Sequence, residues 1–121
     1  MHGLKTIIQM NKGKATLLID ETIRNGGVSF NSKLERLVLN FGYTVSVYSI
    51  LKTENVSKVE KTLNTDLKNY SNSFYGLWFS NGIFFLDGNI NVSSKRLAME
   101  LGKLTNQDAI WDERNQEEIT L

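Results

Sequence analysis

Acidic side chains beside predicted strand ends are the first candidates for chemistry in this sequence. Asp87, Asp108, Asp112 and Glu113 all lie near such ends. Paired carboxylates there can serve a hydrolase as general acid and base, or bind a divalent cation. None of the four falls in the spacing of a metal-binding loop, and carboxylates beside turns are normally just solvated. We therefore expect no catalytic residue and no metal site.

Composition excludes chemistry that depends on sulfur or on a rigidly held imidazole. The 121 residues contain no Cys and one histidine, His2. Without Cys the chain has no disulfide, thiol nucleophile or thiolate zinc site. A lone histidine at a chain end is poorly placed for a Ser-His-Asp triad. These absences predict a protein that is not an enzyme and uses no cofactor.

A pair of glycines raises the question of an anion site. Asn25-Gly26-Gly27 is not followed by the Lys-Ser or Lys-Thr of a phosphate-binding loop, so it matches no nucleotide fingerprint. A bare Gly-Gly is most often a tight turn. The alternative is a run of backbone amides that binds an anionic ligand with the help of side-chain donors. In that alternative the ligand-binding residues are Arg24, Asn25 and Asn31.

Aromatic side chains are concentrated in the second half of the chain. Purine rings stack on such side chains, while Asn and Gln read the edges of the bases. We expect most of these aromatics in the core, because alternation turns about half of each strand inward. Phe84 and Phe85 are adjacent, so one must face a second surface, and Phe85 is the candidate ligand contact. The cluster consists of Phe74, Tyr75, Trp78, Phe79, Phe84, Phe85 and Trp111.

Polar residues after the second predicted helix form another candidate group. Asn106-Gln107 lies where this helix gives way to a strand. The pair is either a helix C-cap, for which Asn is suited, or a ligand contact whose geometry the following strand fixes. Arg114 lies beside Asp112 in the next predicted turn, where a surface ion pair contributes at most about 1 kcal/mol.

Charge and hydropathy limit the partners of this chain. Fourteen basic and thirteen acidic residues give a net charge of +1, far from the basic bias of proteins that neutralise phosphates on a duplex. No apolar run is long enough to span a bilayer, and the start lacks the pattern of a signal peptide. We expect a cytoplasmic protein that partners with neither a membrane nor a nucleic-acid duplex.

Two segments have the periodicity of amphipathic helices. Apolar residues recur at steps of three and four over 56–70, after capping groups at 53–55. A second such pattern covers 95–104, again behind capping residues. The side chains predicted to face inward are Val56, Val59, Leu63, Leu67 and Tyr70 in the first helix, and Leu97, Ala98, Leu101 and Leu104 in the second.

The remaining elements are predicted strands. Asn81-Gly82 is the strongest hairpin signal in the chain. No linker or repeat divides the sequence, so we predict one α+β domain over 1–121, a mainly antiparallel sheet with two amphipathic helices. The predicted strands are 4–10 and 15–19 as a first hairpin, 43–48, 76–80 and 83–87 around Asn81-Gly82, and 108–112 with 118–121.

Several short motifs follow one another along most of the chain. They are Asn25-Gly26-Gly27-Val28-Ser29-Phe30-Asn31, Gly42-Tyr43-Thr44-Val45-Ser46, Gly76-Leu77-Trp78 with Leu86-Asp87, a helix ending in Gly102, and Asn106-Gln107-Asp108-Ala109-Ile110-Trp111-Asp112 with Glu118-Ile119. In this order they resemble a group of small phage and prophage proteins. The resemblance is strongest to the Thoeris anti-defence sponges, which capture cyclic ADP-ribose signals made by bacterial immune TIR enzymes.

This resemblance implies a non-enzymatic homo-oligomer, built on dimers, in the cytoplasm of an infected bacterial host. Such a protein encloses a cyclic nucleotide signal and keeps it from activating the host effector. Some members of the family also capture cyclic oligonucleotide signals, as in CBASS immunity, at a second type of site. The resemblance places ligand contact on Phe30, Asn31, Tyr43, Asn91 and Arg114, with Lys103 or Arg96 as further basic contacts.

Other functions stay open at this stage. A phage protein-binding inhibitor of a host defence enzyme, such as an anti-CRISPR protein, would dock through an exposed aromatic and the charged helix face of Lys58, Lys61 and Lys68. A phosphodiesterase or nucleosidase would use Asp87, Asp108 or Asp112 as its acid. A structural or regulatory phage protein would have no ligand at all.

Overall fold

The computed structural model describes residues 13–70 and 74–121. Within these residues, three helices and six strands follow one another along the chain. The helices are α1 (Gly13–Asn25), α2 (Val56–Lys61) and α3 (Lys95–Leu104). The strands are β1 (Gly27–Phe30), β2 (Tyr43–Thr53), β3 (Phe74–Ser80), β4 (Ile83–Val92), β5 (Ala109–Asp112) and β6 (Glu117–Thr120).

All six strands belong to one antiparallel sheet in the order β1-β3-β4-β2-β5-β6, curled into a half-barrel. The predicted α+β class with a mainly antiparallel sheet is confirmed. At the centre, β3 and β4 form the predicted hairpin around Asn81 and Gly82, whose φ angles are 52° and 79°. Positive φ at both central residues fits a tight turn that matches the right-handed twist of the strands.

The curl of the sheet is strongest along β2, its longest strand. The register of β2 against β4 shifts between Ser46 and Tyr48 and again between Ser49 and Leu51. Such bulges bend a strand and increase its twist. At the first shift the ring of Tyr48 lies against Gly88, where an added Cβ would be 2.5 Å from Tyr48 Cζ. Because Gly88 has no side chain, the Tyr48 ring can pack against its backbone where β2 bends.

All three helices pack on the same face of the sheet. Helices α1 and α2 cover a core that includes Phe30, Leu77 and Leu86, and α3 covers a smaller one around Val45 and Ile110. Because side chains alternate along a strand, the residues next to these core residues in the sequence point to the opposite face of the sheet. That side carries no helix among the described residues, and we call it the open face.

The first predicted hairpin is wrong where the structure describes it. Residues 15–19 lie in α1, so the described chain has three helices and not the two predicted. The buried residues Ala15, Leu18, Ile19 and Thr22 recur with the period of a helix. An apolar run of five residues does not by itself distinguish strand from helix, which is why the prediction failed. The other predicted arm, 4–10, lies outside the described residues.

The helix predicted over 56–70 is confirmed as a helical segment with an irregular end. Asn55 caps α2, its side chain accepting from Ser57 N at 2.8 Å. The helix continues as a π-turn over Thr62–Asp66 and a 3-10 turn over Leu67–Asn69. Val59, Leu63 and Leu67 are buried as predicted, whereas Val56 and Tyr70 at the two ends are exposed.

The inward face predicted for α3 is only partly right. Ala98 is fully buried, but Leu97 and Leu104 are 46% and 79% exposed. The helix approaches the sheet most closely at Gly102, where an added Cβ would lie 2.5 Å from Leu121. Ala98 and Gly102 therefore lie on the packed side, Leu101 is half-buried against the same core as predicted, and Leu97 and Leu104 are turned away from it.

Across residues 13–70 and 74–121 we find no helix that has both the length and the apolar character needed to cross a membrane.

We expect Gly82→Ala to destabilise the protein by about 1 kcal/mol, because alanine is strained at φ 79°. An added Cβ meets nothing within 4 Å, so the effect isolates backbone strain. Urea unfolding followed by circular dichroism measures the change. Ser80→Ala, at an exposed position of the same hairpin, is the control. A Gly82→Ala midpoint equal to that of the control would contradict the turn geometry.

Candidate functional site

The open face is built from alternate residues of five neighbouring strands, which are β1, β3, β4, β2 and β5. The residues that alternate with them along the strands, such as Leu77 and Leu86, are buried on the side that the helices cover. The face is mostly polar, and its aromatic members are Phe74, Trp78, Phe85 and Trp111. Its other members are Gly27 and Ser29 of β1, Gly76 of β3, Asp87 and Asn89 of β4, and Thr44 and Ser46 of β2.

The Trp78 ring lies close to the backbone of two glycines. An added Cβ at Gly27 would be 2.1 Å from Trp78 Cε3, and one at Gly76 would be 3.1 Å from Trp78 Nε1. Any larger residue at Gly27 would displace the ring, so glycine is needed there for close approach and not for its φ angle. The indole is therefore fixed from below by β1 and β3.

Trp78 meets Trp111 across the open face. Their ring centroids are 6.2 Å apart with an interplanar angle of 57°. Strands β4 and β2 lie between β3 and β5, so the two backbones are about 14 Å apart along a flat sheet. Contact across that span shows that the sheet curls toward the open face, which is concave.

Two cavities border this tryptophan pair, and both Trp78 and Trp111 line each of them. The large cavity has a volume of about 580 Å³. The small cavity has a volume of about 190 Å³. Charged and amide groups lining the large cavity are Glu21, Asn25, Arg36, Asn40, Glu113, Arg114 and Gln116. Those lining the small cavity are Asp87, Asn89, Gln107 and Glu118.

The large cavity contains one arginine in an ion pair and one without. Arg36 Nε lies 2.9 Å from Glu21 Oε2. Arg114 is exposed, and within the described ranges its guanidinium forms no ion pair. Its position is set through the backbone, since Asp112 Oδ1 accepts from Arg114 N at 3.1 Å. An anionic group in this cavity would find a free guanidinium, the strongest hydrogen-bond donor among side chains.

The buried side chain of Glu113 fixes the orientation of Trp111 through hydrogen bonds. Thr44 Oγ1 donates to Glu113 Oε2 at 2.5 Å, and the Trp111 indole also donates to this carboxylate. Burial raises the pKa of Glu113, and the bonds from Thr44, Gln116 and Trp111 oppose that rise. With its oxygens bonded in this way, Glu113 orients the ring of Trp111.

Asp112 is a turn former. Its carboxylate accepts from Asn115 Nδ2 at 2.8 Å and from the backbone amides of Arg114 and Asn115. The Asn115 side chain, more than any other group, lowers the pKa of Asp112. A carboxylate committed to closing the β5–β6 turn is poorly suited to proton transfer.

Asp87 is the half-buried carboxylate of the small cavity. Burial raises its pKa to about 6, against a hydrogen bond from Ser46 that lowers it. Beside it, Asn89 is 2% exposed, and its amide oxygen accepts from Gly76 N at 3.2 Å. The Asn89 oxygen is therefore already bonded, and the charged acceptors that line the small cavity are the carboxylates of Asp87 and Glu118.

Of the ten residues that the sequence proposed for ligand contact, three line the two cavities. Asn25 and Arg114 border the large cavity, and Gln107 borders the small one. Tyr43 lines an adjacent groove together with Arg114. Arg24 lies at a separate groove along α1, where its Nε donates to Asp20 O at 3.4 Å.

The five remaining candidates lie elsewhere, and three have structural partners that explain their positions. Phe30 is fully buried and stacks on Tyr75 at 5.8 Å. The Asn31 oxygen accepts from the amides of Lys33 and Glu35 at 3.0 Å and so closes a turn. Asn91 Nδ2 donates to Phe41 O at 3.2 Å and ties the preceding loop to β4.

Asn106 and Phe85 complete the ten. Asn106 ends α3 with a φ of 59°, so the C-cap alternative describes it. Phe85 shares the open face with Trp78 but lies beyond both cavities, with Lys52 Nζ 5.5 Å above its ring. As expected, Phe84 and Phe85 face opposite sides of the sheet, and Phe84 packs in the core.

The glycine pair forms a turn. Gly26 has a φ of 90°, and its N–H donates to Thr22 O at 2.7 Å, which ends α1. Because this amide is already bonded, it is not available to an anion. Arg96 and Lys103 lie on α3, which packs on the opposite side of the sheet from the cavities.

Sequence reasoning missed the tryptophan pair and the role of Asn89. The sequence predicts that most of the aromatic cluster to which Trp78 and Trp111 belong lies in the core. A signal was present in Gly76-Leu77-Trp78 and in Leu86-Asp87-Gly88-Asn89, where apolar and polar or small residues alternate. That alternation puts a tryptophan on a polar face, a placement that favours a binding surface.

The four acidic candidates do not assemble into one group. Asp87 and Glu113 line different cavities, and Asp108 is exposed. Within residues 13–70 and 74–121, no group of three or more His, Cys, Asp or Glu side chains is arranged to hold a metal ion.

We expect the raised pKa of Asp87 to make the protein less stable as pH rises from about 4 to 6. In that window the folded state binds a proton that the unfolded chain has released, and this advantage disappears above the folded pKa. Asp87→Asn should therefore raise the unfolding free energy at pH 7.5 by on the order of 1–3 kcal/mol, with no gain at pH 4.

Urea unfolding at several pH values measures this difference. Asp108→Asn, at an exposed position, is the matched control and should follow the wild-type curve. An Asp87→Asn curve parallel to wild type from pH 4 to 7.5 would contradict the burial of Asp87.

Comparison with protein-family models, with curated proteins and with solved structures gives no match to this chain, so the function has to be argued from the geometry of the open face.

Proposed function

We propose that this protein binds a cyclic nucleotide signal at the open face and sequesters it without cleaving it. The observation that carries the proposal is the contact between Trp78 and Trp111, placed between two polar cavities. The nucleotide is a cyclic ADP-ribose isomer, and cyclic oligonucleotides are a further class of ligand. By holding the signal, the protein blocks activation of a host immune effector.

The tryptophan pair supports recognition of a nucleobase. Stacking of a base on an aromatic side chain contributes about 1–3 kcal/mol. Trp78 is fixed by the glycine backbones below it, and Trp111 is oriented by Glu113. Rings held in this way need little ordering when a ligand arrives, which favours affinity.

The large cavity supports recognition of phosphate. At about 580 Å³ its volume is in the range of small-molecule sites. Arg114 offers an unpaired guanidinium there, and Asn25 and Gln116 offer amide donors. A few charge-assisted hydrogen bonds bind a diphosphate without a strongly basic chain.

The carboxylates at the site support capture without cleavage. Glu113 is bonded to Thr44 and Trp111, Glu21 pairs with Arg36, and Asp112 closes a turn. Each of these groups already has a hydrogen-bond or ion-pair partner, which makes it poorly suited to proton transfer.

Assembly of two or more copies completes the proposal. Val38 lines the large cavity and is 68% exposed, and Phe41 on the same loop is 71% exposed. A second copy that covers them would bury apolar surface and close the cavity over its ligand. The protein then acts as a homo-oligomer in the cytoplasm of an infected bacterium.

A protein-binding inhibitor of a host defence enzyme is the second candidate. Leu97 and Leu104 are exposed and lie seven residues apart, on the same side of α3. An apolar helix side of this kind fits a groove on a partner protein. Co-purification of a host enzyme, lost in Leu97→Ser/Leu104→Ser, would favour this function.

We expect isomers of cyclic ADP-ribose to bind the full-length protein, and Trp111→Leu and Arg114→Ala each to weaken binding at least about tenfold. Each substitution removes one stacking surface or one charge-assisted bond. Isothermal titration calorimetry measures affinity, and a rise in Tm confirms binding to the folded state. Arg96→Ala, on the helix side of the sheet, is the control and should bind like wild type.

The fate of the ligand separates a sponge from an enzyme. Heating the complex and analysing the supernatant by mass spectrometry should return the intact cyclic nucleotide. Recovery of a hydrolysed product would contradict sequestration and point to Asp87 as the catalytic acid. Absence of any heat or Tm change with all isomers would reject the proposed ligand class.

A further inference from the structure

The small cavity differs in charge from the large one. Among its lining residues there is no Lys, Arg or His, and the charged groups are Asp87 and Glu118. The large cavity is lined by two arginines and two glutamates: Arg36 is paired with Glu21, Glu113 is buried, and the Arg114 guanidinium forms no ion pair among the described residues. A ligand that contacts both cavities therefore meets the Arg114 guanidinium in the large one and only acidic charged groups in the small one.

The volume of the small cavity fits a fragment of a ligand. Sites for whole small molecules have volumes of about 300–1,000 Å³, and this one has about 190 Å³. Trp78 and Trp111 form part of its wall. A planar ring stacked on either tryptophan would place one edge in this cavity.

The acceptors in the cavity select for N–H donors. Asp87 receives a bond from Ser46, which leaves further lone pairs of its carboxylate unused by side chains. Asn89 and Gln107 also line the cavity, but the Asn89 amide is bonded to the backbone of Gly76 and Gly88, and Gln107 Nε2 donates to Thr105 O at 3.1 Å. An exocyclic amine donates two N–H bonds, whereas a keto oxygen at the same position would face the carboxylate as a second acceptor.

We propose that the small cavity is a base-reading subsite in which Asp87 accepts a hydrogen bond from the exocyclic amine of an aminopurine stacked on the tryptophan pair. This inference rests on the proposed function for the identity of the whole ligand, but the subsite itself requires only the base. It predicts that amino-bearing bases bind and that their keto counterparts are rejected. The raised pKa of Asp87 is consistent with this role, because a buried carboxylate gains from a donor.

Adenosine and inosine are the probes, since they carry no phosphate and differ only in the amine or keto group at position 6 and in the adjoining N1, which is an acceptor in adenosine and carries a hydrogen in inosine. We titrate each into full-length protein at pH 7.5 and follow tryptophan fluorescence. Wild type should bind adenosine about tenfold more tightly than inosine, a difference that corresponds to ~1.4 kcal/mol. Asp87→Asn should reduce the ratio to about twofold or less, since its side chain both donates and accepts.

Asp108→Asn is the matched control, since this exposed aspartate lies outside the small cavity. It should keep the wild-type preference, and circular dichroism confirms that each variant is folded. Equal binding of both nucleosides by wild type, absence of binding by both, or an unchanged ratio in Asp87→Asn would each overturn the subsite.

Titration with cyclic ADP-ribose distinguishes failure of the subsite from failure of the proposed function. If wild type prefers adenosine and Asp87→Asn does not, the subsite stands even when no cyclic ADP-ribose isomer binds. If the isomers bind wild type while adenosine and inosine are not distinguished, the proposed function stands and the subsite is rejected.

Discussion

The helices cover only one face of the sheet, and the other features of this structure follow from that constraint. A sheet must bury at least one face to be stable, and here α1, α2 and α3 all pack on the same face. The other face carries mostly polar residues, with Phe74 and Phe85 and two tryptophans that are in contact with each other. The bulges in β2 bend the sheet, and the curl brings these rings together.

The fixed position of the tryptophans depends on small residues and on one buried acid. Gly27 and Gly76 leave space above the backbone that the Trp78 ring fills, and Glu113 bonds the Trp111 indole. Binding sites held by such supporting contacts keep their geometry better than sites on free loops. The same residues that stabilise an otherwise uncovered face thus prepare it for a planar ligand.

Local sequence patterns predicted the helices and strands better than they predicted which residues form the candidate site. Asn81-Gly82 specifies its hairpin through backbone conformation alone, and alternation in 43–48 identifies β2. The apolar run at 15–19 satisfied two periodicities and was assigned to the wrong one. At the site, Asn31 and Asn91 bond to nearby loops, whereas Trp78 and Trp111 meet only because the sheet curls. No local pattern encodes that curl.

The net charge of +1 hides a local difference in charge between the two cavities. The large cavity is lined by Arg36, Arg114, Glu21 and Glu113, whereas Asp87 and Glu118 are the charged groups of the small one. The small net charge of the whole chain excludes a protein that coats a phosphate backbone, but it does not exclude local recognition of one phosphate and one base. For a ligand with an anionic end and a donor end, this arrangement favours one orientation over its reverse, because the reverse would set phosphate against Asp87.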